Sequence, residues 1–598
     1  MLKKLNILTL LSVIVPLLLI GASNYFFAAS SYHYIIDPET MERTGRYWVG
    51  DIDGILMALT VCAIAIAVWL PSCYYGLTEK LAKHIIERTG YYRNYIKDNR
   101  RKILRHLTVL FSIMAAAVAV VMVLSGFSIS VLSHSIKRVV FFASAGLSVY
   151  SIIMLWDKPE KLFFSLSLII GFMYVLTHPF LFFGMDNEMH YAWAVEESYL
   201  LNVSVIDSDL VLAKSFQHNH FGWLPSGSSN AVVYSFPKGS DTLAWANDTE
   251  LRTFYARITH MHIGFALYVG RSLALPPNFV LMLGMMINHL VYTTVVYFAI
   301  KRLNSGKHLM AIIAMLPTVI ITSASYGYGA WLAGFFMLGF AYYLNELQNP
   351  DKKISIKNAV IMIGAFFLGN AAKPVYFPAM LVLYFIKKNK FKSEKQYRWY
   401  LAAVTVTILF IIASFAVPFI ISDGAVYEDE RAGDGIDSME QILFILQNPL
   451  AYTGILLRYM RDFFDIFVSG WYLSWYGSYW YFSFPNILWL LILFAALTDR
   501  NENDRLTSTA LQKVLISLIV FSTVALFITA FYISFTQVGA DTVAGVQKRY
   551  LIPFLFPFFY VVCGFKIENK INKRAYSCFI FSFMSLVLLN GAWNTFIP

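Results

Sequence analysis

Residues 399–421 read WYLAAVTVTILFIIASFAVPFII, an apolar run without a charged side chain. The run is long enough to cross the roughly 30 Å hydrocarbon core of a bilayer as one helix, which needs about 20 residues. The segment before it, KKNKFKSEK at 387–395, is strongly basic, as cytoplasmic loops of membrane proteins are. Together the two segments predict a transmembrane helix whose N-terminal end faces the cytoplasm.

The same pattern recurs along the chain, of which 58% is hydrophobic and 14% charged. A soluble domain has about 45–50% apolar and about 25% charged residues, so only a bilayer solvates such a composition. The sequence therefore predicts an all-α polytopic integral membrane protein with about 15 transmembrane helices. The predicted spans lie near 5–29, 52–76, 106–126, 138–156, 163–183, 277–299, 308–327, 329–345, 357–371, 374–387, 399–421, 484–498, 513–536, 550–567 and 575–597.

Basic side chains set the predicted orientation. The segment 79–105 is rich in Lys and Arg, which places it and the N-terminus in the cytoplasm and the protein in the cell membrane. Counting onward puts 184–256 outside as a large polar loop. We expect 1–160 to form an N-terminal four-helix membrane extension and 163–598 the main transmembrane domain. The net charge of +11 follows from these loops and does not indicate nucleic acid.

Two apolar segments do not fit the count as full spans. Reading 257–275 as a span would place Lys301 and Arg302 outside, against the charge rule, so we predict an interfacial or re-entrant helix there. The segment 452–470 carries Arg458 and Asp465 among apolar residues. We predict that this helix lies in the interface or lines a cavity.

The strongest local signal is GMDNEMHYAW at 184–193, which opens the predicted outer loop. An extended chain would put Asp186, Glu188 and His190 on one face, whereas a helix would put only Asp186 and His190 together. Such side chains can hold a divalent cation or act as a general base. The alternative is a polar turn that caps the following helix.

Other polar residues near this loop allow weaker interpretations. His218 and His220, and likewise His260 and His262, have the His-x-His spacing of a transition-metal site, but we find no further ligands to complete one. Three cations could meet a phosphate or pair with local carboxylates: Lys238, Arg252 and Arg257.

Two further segments place cations at the predicted outer boundary. GNAAKPVYFP at 369–378 interrupts an apolar stretch with the lone Lys373 and two prolines after it, and GVQKRYLIP at 545–553 contains Lys548, Arg549 and Tyr550. A lone Lys at a helix end often only extends its ammonium to the membrane–water interface. A Lys exposed by a helix pair that a proline interrupts can also bind an anionic substrate. Adjacent cations on the outer side go against the usual charge distribution, which favours a functional role.

These motifs, in this order, resemble a family of bacterial predicted membrane proteins known as domain of unknown function 2142. The resemblance covers about 163–598 and also includes Ser-Ala-Ser-Tyr at 323–326. The chain departs from the family pattern at Met185, where a Pro is common, and at Lys548, where a Gly is common. It also has about four predicted spans before the GMDNEMHYAW motif.

That family looks related to the GT-C glycosyltransferases, which take sugars from polyprenyl-phosphate donors. The resemblance implies that Asp186 and Glu188 are the catalytic acids, or the ligands of a divalent cation such as Mg or Mn, and that His190 orients groups or shuttles a proton. Lys373, Lys548 and Arg549, with Tyr550, would bind the donor. We expect the three cations to approach Asp186 in the fold, with the Arg549 guanidinium within about 15 Å of its carboxylate.

The acceptor would be a glycan or lipid of the cell envelope at the extracytoplasmic face of the bilayer. Two other classes of protein stay open. A transporter or lipid flippase would also be polytopic, although transporters tend to hold their coupling carboxylates near the bilayer midplane, and the apolar runs here are nearly free of acids. A non-catalytic scaffold of an envelope-polysaccharide assembly complex would need no catalytic acid.

Overall fold

The structure is a computed structural model. It describes residues 98–124, 132–177, 187–198, 254–273, 277–421, 435–467, 485–500, 509–562 and 569–596, the backbone of 32–36 and 43–48, and the single residues 87, 473 and 567. The first two predicted spans and most of the loop 184–256 lie outside these residues. Two short strands, β1 (Tyr32–Ile36) and β2 (Arg43–Trp48), pair in antiparallel fashion. The sequence did not predict this hairpin.

Apart from the hairpin, the described elements are helical, as the composition predicts. The α-helices are α1 (Arg100–Leu124), α2 (Leu132–Leu155), α3 (Pro159–Thr177), α4 (Asn187–Ser198), α5 (Phe254–Ser272), α6 (Pro277–Arg302), α7 (Lys307–Ala314), α8 (Pro317–Ser323), α9 (Gly329–Gln348), α10 (Ile356–Asn370), α11 (Glu394–Ile421), α12 (Ser438–Gln447), α13 (Pro449–Phe463), α14 (Pro485–Thr498), α15 (Ala510–Ser534), α16 (Ile552–Pro557) and α17 (Lys573–Phe596).

Six described helices are long and apolar enough to cross a membrane: 136–155, 159–177, 279–302, 394–421, 510–534 and 573–594. Shorter apolar helices at 108–120, 356–370, 374–385 and 486–498 accompany them. The class of polytopic helical membrane protein is therefore confirmed. The total of about 15 spans remains a prediction, because much of the N-terminal region lies outside the described residues.

Three predicted spans are broken rather than continuous. Residues 308–327 divide into α7 and α8, because Pro317 has no amide hydrogen to continue the first helix. A 3₁₀ helix covers Pro374–Phe385, with Pro378 inside it. At 548–562 the chain passes from a 3₁₀ turn through α16 into a π-helical turn. Non-helical backbone at membrane depth is tolerated where it is buried in protein or lines a cavity.

Helix α9 lies at the centre of the bundle, packed against α6 and α10. Close approach to α10 requires glycine at two positions. A Cβ atom on Gly339 would lie 2.9 Å from the Phe366 ring, and one on Gly369 would lie 2.7 Å from the Phe336 ring. Small residues at such contacts let helices approach closely in a membrane, where lipid gives little hydrophobic drive for association.

A buried ion cluster joins the elements at the C-terminal end of α9. The Glu346 carboxylate, 5% exposed, accepts bonds from Arg302 Nη2 at 3.1 Å and Lys390 Nζ at 3.0 Å. Asn358 Nδ2 donates to the same carboxylate at 3.2 Å. The cluster therefore fixes α6, α9, α10 and the segment after the 3₁₀ helix relative to one another.

Candidate functional site

A cavity with a mixed polar and apolar lining opens at the other end of α9. Its empty space, with the open solvent at its mouth included, is about 720 Å³. Four parts of the chain line it: the start of α4, the segment 318–333, the turn before the 3₁₀ helix, and residues 549–553. Its polar lining residues are Asn187, His190, Thr318, Thr322, Ser325, Tyr328, Lys373, Tyr376, Arg549 and Tyr550.

The turn between α8 and α9 forms one wall and is held by two asparagines. Asn187 Oδ1 accepts a bond from the Tyr326 amide at 2.9 Å. Asn288 Nδ2 donates to the carbonyl oxygens of Ser325 at 2.7 Å and Gly327 at 3.2 Å. Because the backbone groups of this turn are bonded from both sides, its side chains keep fixed directions toward the cavity.

Lys373 adds a cation to the cavity lining. Its ammonium lies 3.8 Å from the ring centroid of Tyr550, 5.0 Å from that of Phe531 and 5.9 Å from that of Tyr328. Within the described part of the chain, no carboxylate lies within ion-pair distance of Lys373. Aromatic faces attract a cation but do not neutralise it, so this half-buried ammonium can still attract an anion.

Arg549 lines the same cavity as Lys373 and adds a second cation. The Tyr376 hydroxyl donates to the Tyr550 carbonyl at 2.6 Å, which ties the 3₁₀ turn at 548–551 to the 3₁₀ helix after Lys373. This bond joins segments 174 residues apart in sequence. A guanidinium beside an ammonium suits a phosphate, since the guanidinium can bind two of its oxygens at once.

A chain of hydrogen bonds from α5 fixes the His190 ring. Thr259 Oγ1 donates to the Ala256 carbonyl at 2.8 Å, so the same oxygen accepts from His260 Nδ1 at 2.8 Å. His260 Nε2 is then the acceptor for His190 Nδ1 at 3.2 Å. This assignment follows from the hydrogen-bond network. In this assignment His190 is the donor and His260 the acceptor of the bond between the two rings.

Two hydroxyl groups in the cavity lining donate to nearby backbone carbonyls. Thr322 Oγ1 donates its proton to the Thr318 carbonyl at 2.6 Å, and Ser325 Oγ donates to the Thr322 carbonyl at 2.7 Å. A hydroxyl oxygen whose proton is already donated can only accept further bonds. These two hydroxyl groups share one cavity lining with Lys373 and Arg549.

The structure brings some of the predicted site residues together. His190, Lys373, Arg549 and Tyr550 line one cavity, although the last three lie far downstream of the first. Asp186 lies outside the described residues, but its neighbour Asn187 lines the same cavity. The distance from Arg549 to the Asp186 carboxylate therefore stays a prediction.

Position 188 lies within α4. Of the two conformations considered for this segment, extended and helical, this position therefore has the helical one. In a helix, residues two apart do not share a face. The side chain of Glu188 lies outside the described part of the structure. The roles predicted for Asp186 and Glu188 as acids or metal ligands thus remain predictions.

Lys548 lies away from the cavity wall. Its ammonium is 3.4 Å from Asp465 Oδ2, in the 3₁₀ turn after α13, and the residue is not among those that line the cavity. The predicted role of Lys548 beside Lys373 and Arg549 thus stays a prediction. Because Lys548 and Arg549 are adjacent in a 3₁₀ turn, their side chains leave it in different directions.

Other residues considered from the sequence are engaged structurally. Arg257 Nε donates to Glu197 Oε1 at 2.8 Å, with the carboxylate 3% exposed, so this cation pairs with a local carboxylate. His262 Nε2 donates to Asn288 Oδ1 at 2.9 Å. Burial lowers the pKa of His262 to about 4, so the ring is neutral at pH 7.

The His-x-His pair at 260 and 262 does not converge, because one ring bonds His190 and the other Asn288. Among the described residues, no group of three or more His, Cys, Asp or Glu side chains could hold a metal ion. His218, His220, Lys238 and Arg252 lie outside the described residues. The sequence pattern missed the pairing of His260 with His190, which only the contact between α4 and α5 creates.

The fold and the cavity define a polytopic helical membrane protein with a polar site at one end of its bundle. The model of a family described as predicted membrane protein (DUF2142) matches residues 168–557, and the chain belongs to this family. The predicted membership is therefore confirmed, over a range that stops before α17. No curated protein and no solved structure matches the chain.

Proposed function

We propose that this protein is a GT-C type membrane glycosyltransferase, which transfers a sugar from a polyprenyl-phosphate donor to a cell-envelope glycan or lipid. The observation that carries the proposal is one cavity whose lining combines two cations with neutral polar side chains. Lys373 and Arg549 offer positive charge, and Asn187, Ser325 and His190 add polar groups. A sugar phosphate has the complementary chemistry, with an anionic phosphate next to a ring of hydroxyl donors.

The length of α9 supports an extracytoplasmic site. The helix has 20 residues, which corresponds to about 30 Å, the thickness of the hydrocarbon core. Its N-terminal end lies at the cavity, and its C-terminal end lies at the Glu346 cluster beside the basic segment 387–395. If that basic segment is cytoplasmic, as the charge rule predicts, the cavity faces the opposite side of the membrane.

In the proposed reaction, an acceptor hydroxyl oxygen attacks the anomeric carbon of the donor sugar. The bond between that carbon and the phosphate oxygen breaks, and the electron pair leaves with the polyprenyl phosphate. Lys373 and Arg549 stabilise the growing charge on the phosphate, which is where such cations contribute most to the rate. Asp186 takes the proton of the acceptor hydroxyl, and His190 orients that hydroxyl.

The described lining does not itself provide a divalent-cation site. It contains two cations and no cluster of three metal-binding side chains. The two side chains in the wall carry the stabilisation of the phosphate in this proposal.

The direct test is to incubate the purified full-length protein with a panel of polyprenyl-phosphate-linked sugars and an envelope-glycan acceptor. We expect sugar transfer with stoichiometric release of lipid phosphate. A Lys373→Met variant should lose transfer, whereas Lys548→Met is the matched control because its cation pairs with Asp465 outside the cavity wall. Passage of the intact lipid across a vesicle membrane without release of phosphate would instead identify a flippase.

A further inference from the structure

Helix α13 packs on α15, which is one of the six helices long and apolar enough to cross a membrane. Near the start of α13, the Tyr452 hydroxyl lies 2.5 Å from Thr529 Oγ1. Directly after its end, the Phe464 ring stacks on the Phe521 ring with centroids 6.3 Å apart. Along α15, positions 529 and 521 are separated by about 12 Å, and 521 lies near the middle of this 25-residue helix. The C-terminal end of α13 therefore lies near the middle of the bilayer.

The exposed face of α13 has its charges at this deep end. Leu450, Leu457 and Arg461 share one helix face, and Arg458 lies three residues before Arg461. The two leucines are 88% and 53% exposed, and the Arg461 side chain is 79% exposed. The leucine at the start of this face is thus closer to the membrane surface than the arginines are. Membrane proteins usually have the opposite order, because a charge that faces hydrocarbon is costly.

The described carboxylates do not satisfy these two arginines. Arg461 Nε donates to Asp462 Oδ1 at 3.2 Å, and its two terminal nitrogens can still donate to a second anion. Within the described part of the chain, no carboxylate lies within ion-pair distance of Arg458. Asp465 pairs with Lys548 at 3.4 Å. An anion beside α13 would therefore supply the charge that the two arginines require at this depth.

We propose that Arg458 and Arg461 bind the phosphate headgroup of a lipid that approaches α13 from the side of the membrane. Guanidinium groups suit a phosphate because each can bind two of its oxygens, and the chains of the lipid would stay against the apolar helices. The inference goes beyond the proposed function, since it concerns a surface outside the cavity lining and does not require sugar transfer. The lipid phosphate can come from a polyprenyl phosphate or from a membrane phospholipid.

The position of α13 connects this surface to the candidate site. Asp465 lies in the 3₁₀ turn directly after α13 and pairs with Lys548. The next residue, Arg549, lines the cavity together with Lys373. A lipid phosphate bound at α13 would therefore be beside the segment that carries the cavity cations.

Binding can be measured on the purified full-length protein in phosphatidylcholine nanodiscs that contain either undecaprenyl phosphate or phosphatidylglycerol. Native mass spectrometry after release from the nanodisc counts the bound lipids. A Lys373→Met background removes the contribution of the cavity. In this background, we expect Arg458→Gln with Arg461→Gln to lower the affinity for at least one of the two lipids by about tenfold or more, because charge-assisted hydrogen bonds to phosphate are lost.

Arg398→Gln in the same background is the matched control. The Arg398 side chain is 77% exposed and pairs with Glu394 at the other end of the predicted topology, so this variant should keep the lipid affinity. Thermal melting shows whether each variant folds. A measurement without any substitution uses a lipid phosphate that carries a diazirine next to its phosphate group, which should attach to peptides from 449–463 after irradiation.

The two lipids distinguish the sources of the phosphate. Arginine-dependent binding of undecaprenyl phosphate alone identifies the polyprenyl lipid, and binding of phosphatidylglycerol alone identifies a membrane phospholipid; either result supports the site. Equal affinities in the double arginine variant and in Arg398→Gln would overturn it, and so would attachment of the diazirine lipid only outside 449–463. If the arginines are required for binding but no sugar is ever transferred, the site stands and the proposed enzymatic activity fails.

Discussion

His190 and His260 lie 70 residues apart in sequence, yet His260 Nε2 is 3.2 Å from His190 Nδ1 and the two rings stack with centroids 5.2 Å apart. Contact between α4 and α5 produces this pair. The neighbouring ring of Tyr328 packs edge-on against His190 at 4.8 Å and also lies near the Lys373 ammonium. The imidazole pair and the cation therefore belong to one aromatic-walled site.

We expect His260→Phe to lower kcat by about tenfold or more with little change in KM, because the ring shape is kept while His190 loses the acceptor that fixes its tautomer. His260→Gln keeps an acceptor oxygen and should retain more activity. Nitrogen NMR of labelled histidine should show protonation at His190 Nδ1 in the wild-type protein only. An unchanged His190 signal in His260→Phe would contradict the hydrogen bond from His190 Nδ1 to His260 Nε2.

Asp186→Asn should leave expression and folding intact but remove transfer activity, since an amide cannot serve as the base or as an anionic ligand. Glu188→Gln should have a similar or milder effect. Activity is measured as release of lipid phosphate, with thermal melting as the check on folding. Full activity in both single variants would eliminate the acidic motif as the catalytic centre.

Arg549→Lys keeps the positive charge but loses the planar fork that binds two phosphate oxygens. We expect donor affinity to fall by about tenfold to a hundredfold, which corresponds to the loss of one charge-assisted bond worth about 1.5–3 kcal/mol. Lys548→Met replaces the ammonium with an apolar side chain of similar length and should change donor affinity little. The opposite ranking of these two variants would return Lys548 to the phosphate site.

The orientation of the chain can be tested with a cysteine at Ser228, in the large polar segment predicted to lie outside. Membrane-impermeant maleimide added to intact cells should label Ser228→Cys, because the basic segments 77–105, 346–356 and 388–398 are predicted to be cytoplasmic. A cysteine at Ser393, within the last of these segments, is the matched control and should be labelled only after lysis. Reversed labelling would overturn the topology and the extracytoplasmic site.

Glu346→Gln should strongly destabilise the fold, because the buried carboxylate pairs with both Arg302 and Lys390. Removing one member of a buried ion pair costs about 3–5 kcal/mol. Glu394→Gln is the control, since that carboxylate is 51% exposed and pairs with Lys388 and Arg398 at the surface, where water screens an ion pair and the pair adds little stability. Equal melting temperatures for the two variants in detergent would show that the cluster does not stabilise the fold.

Sequence alone determined the class of protein and most of the long helices. Predicted spans such as 399–421 and 513–536 match α11 and α15 closely, because an uncharged run of about 20 residues has one low-energy state in a bilayer. The broken segments were harder to predict. Hydropathy does not distinguish a continuous helix from the short helices around Pro317 or from the 3₁₀ helix at 374–385. A continuous and an interrupted segment of the same sequence bury the same apolar side chains.

The candidate site depended on tertiary structure to a greater degree. The sequence singled out His190, Lys373 and Arg549 as polar residues at one predicted boundary, and the fold brings them to one cavity. It could not separate Arg549 from Lys548, since adjacent residues share the same sequence context while a turn directs them to different partners. The sequence also did not predict the hydrogen bond between His190 and His260. Hydrogen bonds between helices that are distant in sequence depend on how the helices pack, which the spacing of residues does not indicate.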